Sequence, residues 1–427
     1  MGNQTLEVLH GILYGKGIRF GQLSSLGGML ATITGKHGDV VPFIAPQIHD
    51  HAMTVARVSA SKYYWNAELL VRTQIAVERW YGFGLFTVIP DSYNFEVEAL
   101  GAKMIYSDAA MPTVDLNEPL IKSPADLDRV GPLDPSKGRI PNAIEMGKLV
   151  PKLAPGPLSG GYFCSPWSLI CLAVTYPKAI RALMRDKAYG RALFDWAENQ
   201  ALWPYLQALA KAGVKNAIGA DAWSAFPDMS PELLEEWVMP YAKRFNDRAK
   251  KELGMTTSAG FLAGDYCEED PAKFDKELMF KALAICHRSF ALDVTPIVMG
   301  RTQDWDMRWV QEFAVLNGKG GRKLPIFASL NGRFMRDAPL DRILDKIRGW
   351  IDIMGRDGGL MFFIGNVPAD TPPLNMHTAV QAVKILGRYP IVQDLASIPV
   401  EPARFQPFDV WLKDQPEADL IFKAREK

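Results

Sequence analysis

The chain is poor in cysteine. Its 427 residues include four, Cys164, Cys171, Cys267 and Cys286. None of them stands at a CxxC or other framework spacing, so they read as reduced thiols of a cytoplasmic protein. An excess of either charge is also lacking. Lys+Arg and Asp+Glu number 48 each, and a balanced chain is not the basic footprint expected of a nucleic-acid binder. No run of about 20 apolar residues occurs, which excludes a membrane-spanning helix. The first residues, MGNQTLEVLHGILYGKG, lack the basic cap and apolar run of a signal peptide. The uncharged stretch Gly21–Gly35 is broken by glycines and reads as a loop or short helix. No internal repeat or low-complexity tract is present, and the glycine-rich stretches Gly156–Gly161 and Gly318–Gly321 do not fit a dinucleotide fingerprint.

What is present is a globular composition, 48% apolar and 11% aromatic, on a chain long enough to bury a large core. Eight short apolar runs end in polar or Gly/Pro-rich clusters: Val41–Gln47, Gly84–Pro90, Pro157–Cys164, Ala217–Asp221, Met255–Leu262, Val294–Met299, Leu324–Leu330 and Gly359–Ile364. Helical stretches separate most of them. Ser230 before Pro231 opens one helix and Gly254 ends it, a capped signature. Others cover Ala67–Trp80, Pro177–Ala212, Pro271–Ala291, Asp341–Met354 and Leu374–Leu386. Strands alternating with helices imply parallel βαβ units, and eight units predict an α/β fold, a (β/α)8 TIM barrel with an N-terminal extension. Residues 1–40 form the extension, 41–400 the barrel and 401–427 a C-terminal appendage. Residues 104–156 form a Pro-rich, weakly periodic insertion after the second strand.

In such a barrel the active site sits at the C-terminal ends of the strands. The segments just beyond the eight runs read QIHDHAM, DSYNFEVEAL, SPWSL, DAWSA, AGDYCEED, GRTQDWD, NGRF and GNVPADTPP. His49 and His51, two apart on a strand, would face the same way into the barrel mouth, as acid catalysts or metal ligands. Asp91 ends the second run and would orient substrate, pair a histidine or bind a metal; it would equally serve as the N-cap of NFEVEAL. Tyr93 and Asn94 lie beside it. Asn366 offers an amide to a substrate oxygen, or forms the turn in GNVP. Asp221 is placed like Asp91. Trp223, with Trp167 and Trp305, would wall an aromatic pocket unless these rings belong to the core. Asp265 and Cys267 follow the fifth run. His377, inside the last helix, reads as structural.

The segments DSYNFEVEALGAKM, SPWSLICLAV, DAWSAFPDMSPELLEEWVMPYAKRF and GGLMFFIGNVPADTPPLNMHTAVQAVKILGRYP resemble the uroporphyrinogen decarboxylase superfamily over roughly residues 40–390. That superfamily includes the decarboxylase and the methyltransferases that work with corrinoid proteins. The resemblance implies a (β/α)8 barrel, in agreement with the reading above, and puts Asp91 at the family's acidic position. The family's decarboxylases hold substrate carboxylates with arginines after the first strand; here that place reads PQIHDHAM. Their tyrosine is replaced by Leu172 and their last-strand histidine by Asn366. EALGAKM and GNVPADTPPLN are closer to the methyltransferase branch. Its thiol-methylating members bind zinc after the fifth and eighth strands, where this chain has Phe261-Leu262-Ala263 and Asn366, so the usual zinc ligands are absent. A metal, if bound, would draw on His49, His51, Asp91, Asp265 and Cys267.

The members that cleave aryl methyl ethers are most similar, through PQIHDHAM and YNFEVEALG. The resemblance therefore implies a methyltransferase component that moves a methyl group from a small methylated substrate, a methoxylated aromatic, to the cobalt of a separate corrinoid protein. Asp91, His49 and His51 would assist the leaving oxygen. Tyr93, Asn94, Asn366, Asp221, Trp223 and Asp265 would bind the substrate. The expected partners are the corrinoid protein and the small methyl donor, with no nucleic acid and no membrane; a homodimer is compatible with such barrels. The alternatives are a decarboxylase of the uroporphyrinogen type and a binding paralogue without catalysis.

Overall fold

Among the described residues short strands alternate with longer helices. The computed structural model describes residues 20–91, 94–155, 160–224, 229–259, 275–289, 295–298 and 306–426. Seven of the eight predicted runs carry a strand: β1 (Phe43–Ile44), β4 (Gly161–Cys164), β5 (Asn216–Ala220), β6 (Thr256–Thr257), β7 (Thr295–Val298), β8 (Ile326–Asn331) and β9 (Leu360–Gly365). They pair in parallel as two arcs, β4-β5-β6 and β7-β8-β9-β1. β9 joins the last unit to the first, with Phe43 opposite Phe362 and Ile44 opposite Phe363. This is the (β/α)8 barrel expected. The insertion after the second unit adds a small antiparallel hairpin, β2 (Met104–Ile105) with β3 (Thr113–Val114).

The remaining run, the second, residues 84–90, has no ladder partner among the described residues. Its backbone is gripped instead by the helix before it, α3 (Ala67–Tyr81), which Asn66 caps at its start and Gly82, with φ +81°, at its end. Gln74 Nε2 donates to the Ile89 carbonyl at 2.9 Å, and Ile89 N–H donates back to Gln74 Oε1 at 3.3 Å. Thr87 N–H donates to the Glu78 carboxyl at 3.1 and 3.2 Å. Gln74 and Glu78 are four apart and so share a face of α3. Two helix side chains thus supply the bonds that a neighbouring strand would. Across the gap, the N–H of Cys164 on β4 donates to Glu96 Oε1 at 2.6 Å.

The side chains of the wall sort into two layers. Phe163 and Gly219 face outward, where Phe163 meets Phe245 of an outer helix. Ile89, Tyr162 and Ala220, with Ile218 against them, form a separate inner cluster, which the two-residue period of a strand places in the lumen.

The predicted helix Pro177–Ala212 is broken. Asp186 ends Tyr176–Arg185 and caps Lys187–Trp196 by accepting from Tyr189 N–H. The chain then passes through a wide turn, Ala197–Leu202, into Trp203–Lys211. The glycine-broken stretch near the N-terminus is a helix, α1 (Phe20–Ile33). The C-terminal segment packs back onto the first unit: Trp80 Nε1 donates to the Gln406 carbonyl at 2.9 Å, and Arg425 Nε to the Ala56 carbonyl at 2.6 Å.

Candidate functional site

Asp91 ends the second stave, two residues beyond the lumen residue Ile89, and is only 2% exposed. Its Oδ1 accepts from Asn94 N–H at 3.1 Å and Asn94 Nδ2 at 2.9 Å. Asn94 is the residue before α4 (Phe95–Ala99) and in turn accepts from Val114 N–H on β3. The other oxygen of Asp91 pairs with Arg139 Nη1 at 2.5 Å, and Arg139 Nε donates to Glu98 Oε2 at 2.5 Å. Arg139 is the residue before α5 (Ile140–Leu153) and is 3% exposed. Its guanidinium lies 5.3 Å from the Trp65 ring. Tyr106, at the tip of the hairpin, donates to Glu98 Oε1 at 2.9 Å.

His49 and His51 are not on a strand. They occupy the first turn of a helix, α2 (His49–Ala56). Two residues on a helix are about 200° apart, so the pair diverges and its shared-face geometry is lost. Pro46 ends the extended run early, and the 3.6-residue pattern of HDHAMTVA takes over. His51 is buried: Nε2 meets Tyr81 Oη at 2.6 Å and Nδ1 meets the Ala369 carbonyl at 3.2 Å. Burial pushes its pKa down to about 4, so it is neutral at ordinary pH. His49 Nδ1 lies 3.1 Å from Tyr64 Oη, and Asp50 N–H donates to the same nitrogen at 2.9 Å. Tyr64 donates to Asp50 Oδ1 at 2.5 Å. Burial works against the Asp50 charge, but nearby His49 and hydrogen bonds from the Tyr64 hydroxyl and Met111 N–H hold its carboxyl below the usual range. Burial first, then the charges of Asp50 and Asp91 among others, pushes the Tyr64 phenol well up.

Loop contacts join neighbouring strand exits. Val367 N–H donates to the Gln47 carbonyl at 2.9 Å, joining the exits of β9 and β1. Ser165 N–H donates to the Ala220 carbonyl at 2.7 Å, joining those of β4 and β5. Asn366 stands at the exit of β9 with φ +51°. Its carbonyl lies 2.3 Å from where a Cβ on Gly332 would fall, so only glycine fits there. Its side chain is exposed and outside the Asp91 group.

Asp221 faces the other way. It follows the lumen residue Ala220 by one position and turns behind the wall to α6 (Pro166–Val174), where Ser168 Oγ donates to its Oδ1 at 2.8 Å. Burial pushes its carboxyl up to about 7. Trp223 supports the same helix: its N–H donates to Ser168 Oγ at 3.3 Å and its ring stacks on Tyr176 at 5.6 Å. The expectation that Asp221 and Trp223 line the mouth together with Asp91 does not match these contacts. Tyr93 and Asp265 lie outside the described residues, as do Cys267 and Trp305.

Residue-type reasoning gathers Asp50 with the other polar groups beyond the first run but passes over Arg139, Glu98, Glu96 and Tyr64. The two glutamates sit inside motifs already singled out. Arg139 lies in the aperiodic insertion, where no sequence signal marks it. Among the described residues no group of three or more His, Cys, Asp or Glu could hold a metal ion. Nor is any described helix long and apolar enough to cross a membrane.

A sequence model of the uroporphyrinogen decarboxylase (URO-D) family matches residues 26–386. Among solved structures, a methyltransferase from Methanosarcina mazei is similar, with a TM-score of 0.60 and 18% sequence identity, over 84% of this chain and 98% of that one. At that identity the likeness speaks for the fold. No curated protein matches the chain.

Proposed function

The chain belongs to the uroporphyrinogen decarboxylase family; within it, we propose that this protein is the methyltransferase component of a corrinoid-dependent system. It takes a methyl group from a small methoxylated aromatic and delivers it to the cobalt of a separate corrinoid protein. The observation that carries the reading is the exit of β1. Pro46-Gln47-Ile48-His49-Asp50-His51 holds no arginine, and its histidines are engaged by Tyr64, Tyr81 and the loop after β9. Arg139, the buried cation beside Asp91, is already shared between two carboxylates. Neither feature suits a substrate carrying many carboxylates, which calls for available guanidinium groups. A neutral ether makes no such demand.

The reaction breaks the bond between the methyl carbon and the ether oxygen. The carbon goes to the reduced cobalt of the partner, and the electron pair stays on the oxygen, which ends as a phenol once it takes a proton. A positioned acid or hydrogen-bond donor at that oxygen contributes about 10²–10⁴-fold. Asp91 on the lumen side and His49 with its Asp50–Tyr64 partners are the groups that would orient the ether and manage this proton. His51, neutral and bonded at both ring nitrogens, packs the loop instead. The described residues supply no zinc ligand set, and no step is drawn through a metal held by this chain.

The test is turnover of a methoxyphenol by the purified chain with and without a reduced corrinoid protein. Demethylation only in its presence is the expected result. Release of CO₂ from a carboxylated substrate without any corrinoid would instead establish the decarboxylase branch.

A further inference from the structure

We infer that Arg139 is a positioning residue of the reaction, a guanidinium that aims the Asp91 carboxylate into the lumen. The inference rests on the methyl-transfer reading for the identity of the reaction, but not for its geometry. Asp91 sits on a stave with no strand ladder among the described residues, so the sheet does not fix its carboxylate. The stave's backbone is held from behind by Gln74 and Glu78. The carboxylate itself is held by Asn94 on one oxygen and Arg139 on the other.

Arg139 is unusually well placed for this. It is 3% exposed, and its own orientation is set by Glu98 through Nε at 2.5 Å. Glu98 is tied in turn to the Tyr106 hydroxyl on the outer hairpin. A guanidinium can bond two carboxylates from different edges of one rigid plane, whereas an ammonium is a point charge. Arg139 uses both edges, Nε for Glu98 and Nη1 for Asp91. It therefore transmits the position of α4 and the hairpin to the carboxylate at the lumen. Its Nη2 is buried and has no hydrogen-bond partner among the described residues, so the side chain is not there merely to satisfy its own donors.

The test compares the Arg139→Lys and Arg139→Ala variants with the wild type, reading kcat and KM for a methoxyphenol with a reduced corrinoid protein. A carboxylate displaced by about 1 Å loses on the order of 10²-fold in rate. Arg139→Lys should lose about 10- to 100-fold in kcat with KM for the methyl donor nearly unchanged. Added guanidinium ion at millimolar concentration should restore part of the kcat of Arg139→Ala and none of that of Arg139→Lys, whose side chain fills the space. Wild-type kcat in a folded Arg139→Lys, or a loss that falls on KM alone, would overturn the inference. If both variants fail to fold, Glu98→Gln decides. It keeps an acceptor for Tyr106 but weakens the hold on Nε, and should lower kcat several-fold at constant KM; an unchanged kcat refutes the proposal. If the wild type moves no methyl group but releases CO₂, the methyl-transfer reading has failed, and the same split is measured on the decarboxylation, since the aim of Asp91 does not depend on which bond breaks.

Discussion

Two fully buried carboxyls, Glu96 and Asp221, carry the clearest electrostatic signature of single residues. Burial pushes Glu96 up to about 8 and Asp221 up to about 7. Each is protonated in the folded chain at pH values where it is ionised in the unfolded one. Their contribution to stability is therefore complete below about pH 4 and falls away as pH rises toward 7 and 8. Glu96→Gln keeps the oxygen that accepts from Cys164 N–H and removes the ionisation. Above pH 8 it should raise the unfolding free energy read from urea titration by on the order of 2–4 kcal/mol, and near pH 4 leave it unchanged. A wild-type pH profile in the variant would count against this account. Asp91 needs a careful substitution for the opposite reason. Removing one partner of a buried ion pair costs about 3–5 kcal/mol because the other charge is stranded. Asp91→Ala should thus unfold at lower temperature, whereas Asp91→Asn, which keeps the shape and one acceptor oxygen for Asn94 but turns its NH2 toward Arg139, should lose methyl transfer while giving up less of the melting temperature than the alanine variant. Asp91 could be singled out as a candidate because it follows directly on an apolar run. Arg139 was not, because a lone arginine in an aperiodic insertion acquires meaning only when the chain folds it against two acids.

Among elements, the second stave sets the arrangement. Its backbone bonds go to Gln74 and Glu78 rather than to a strand, so the stave is only as secure as those side chains. Gln74→Leu leaves the Ile89 N–H and carbonyl buried without partners, a cost of about 1–3 kcal/mol per group. Hydrogen exchange at Ile89 and Thr87 should then accelerate while exchange in β8 and β9 stays slow; uniform acceleration would show that the stave opens only with the whole barrel. The helices were the most readable elements. Asn66, Ser230 and Gly254 mark ends that the structure keeps, with Leu69 N–H on Asn66 and Leu233 N–H on Ser230. The helix 177–212 was read as continuous because Asp186 is one polar residue in a periodic stretch, yet its carboxylate captures Tyr189 N–H and restarts the chain. His49 and His51 were extended as strand because a two-residue spacing suits either period over so short a span. Pro46 and the apolar positions 52, 53 and 56, all buried, decide for the helix.

At the scale of the whole molecule, the barrel was legible from eight alternating units, and the pairing of the last strand, β9, with the first, β1, agrees. The role of the ends was not, because their partners are hundreds of residues away in sequence. Glu417 pairs with Arg79 at 2.9 Å, Trp80 Nε1 reaches the Gln406 carbonyl at 2.9 Å, and Arg425 Nε the Ala56 carbonyl at 2.6 Å. These contacts brace α2 and α3, the helices that carry His49 and hold the second stave. Deleting residues 401–427 should lower the melting temperature by roughly 5–15 °C, from the loss of several partly buried pairs and apolar contacts. It should also reduce activity more than a destabilising change on the far arc of the barrel does. Equal activity losses at matched melting temperatures would separate the segment from the site.

A barrel in which Asp91 rides on a strip clamped by helix side chains has an adjustable mount. In a fully laddered cylinder, moving one carboxylate means shifting register and re-pairing every neighbour. Here Gln74→Asn or Glu78→Asp shortens a clamp by one carbon and leaves both arcs stitched, so the reach of the site can be retuned, by selection or by an engineer, without taking the vessel apart.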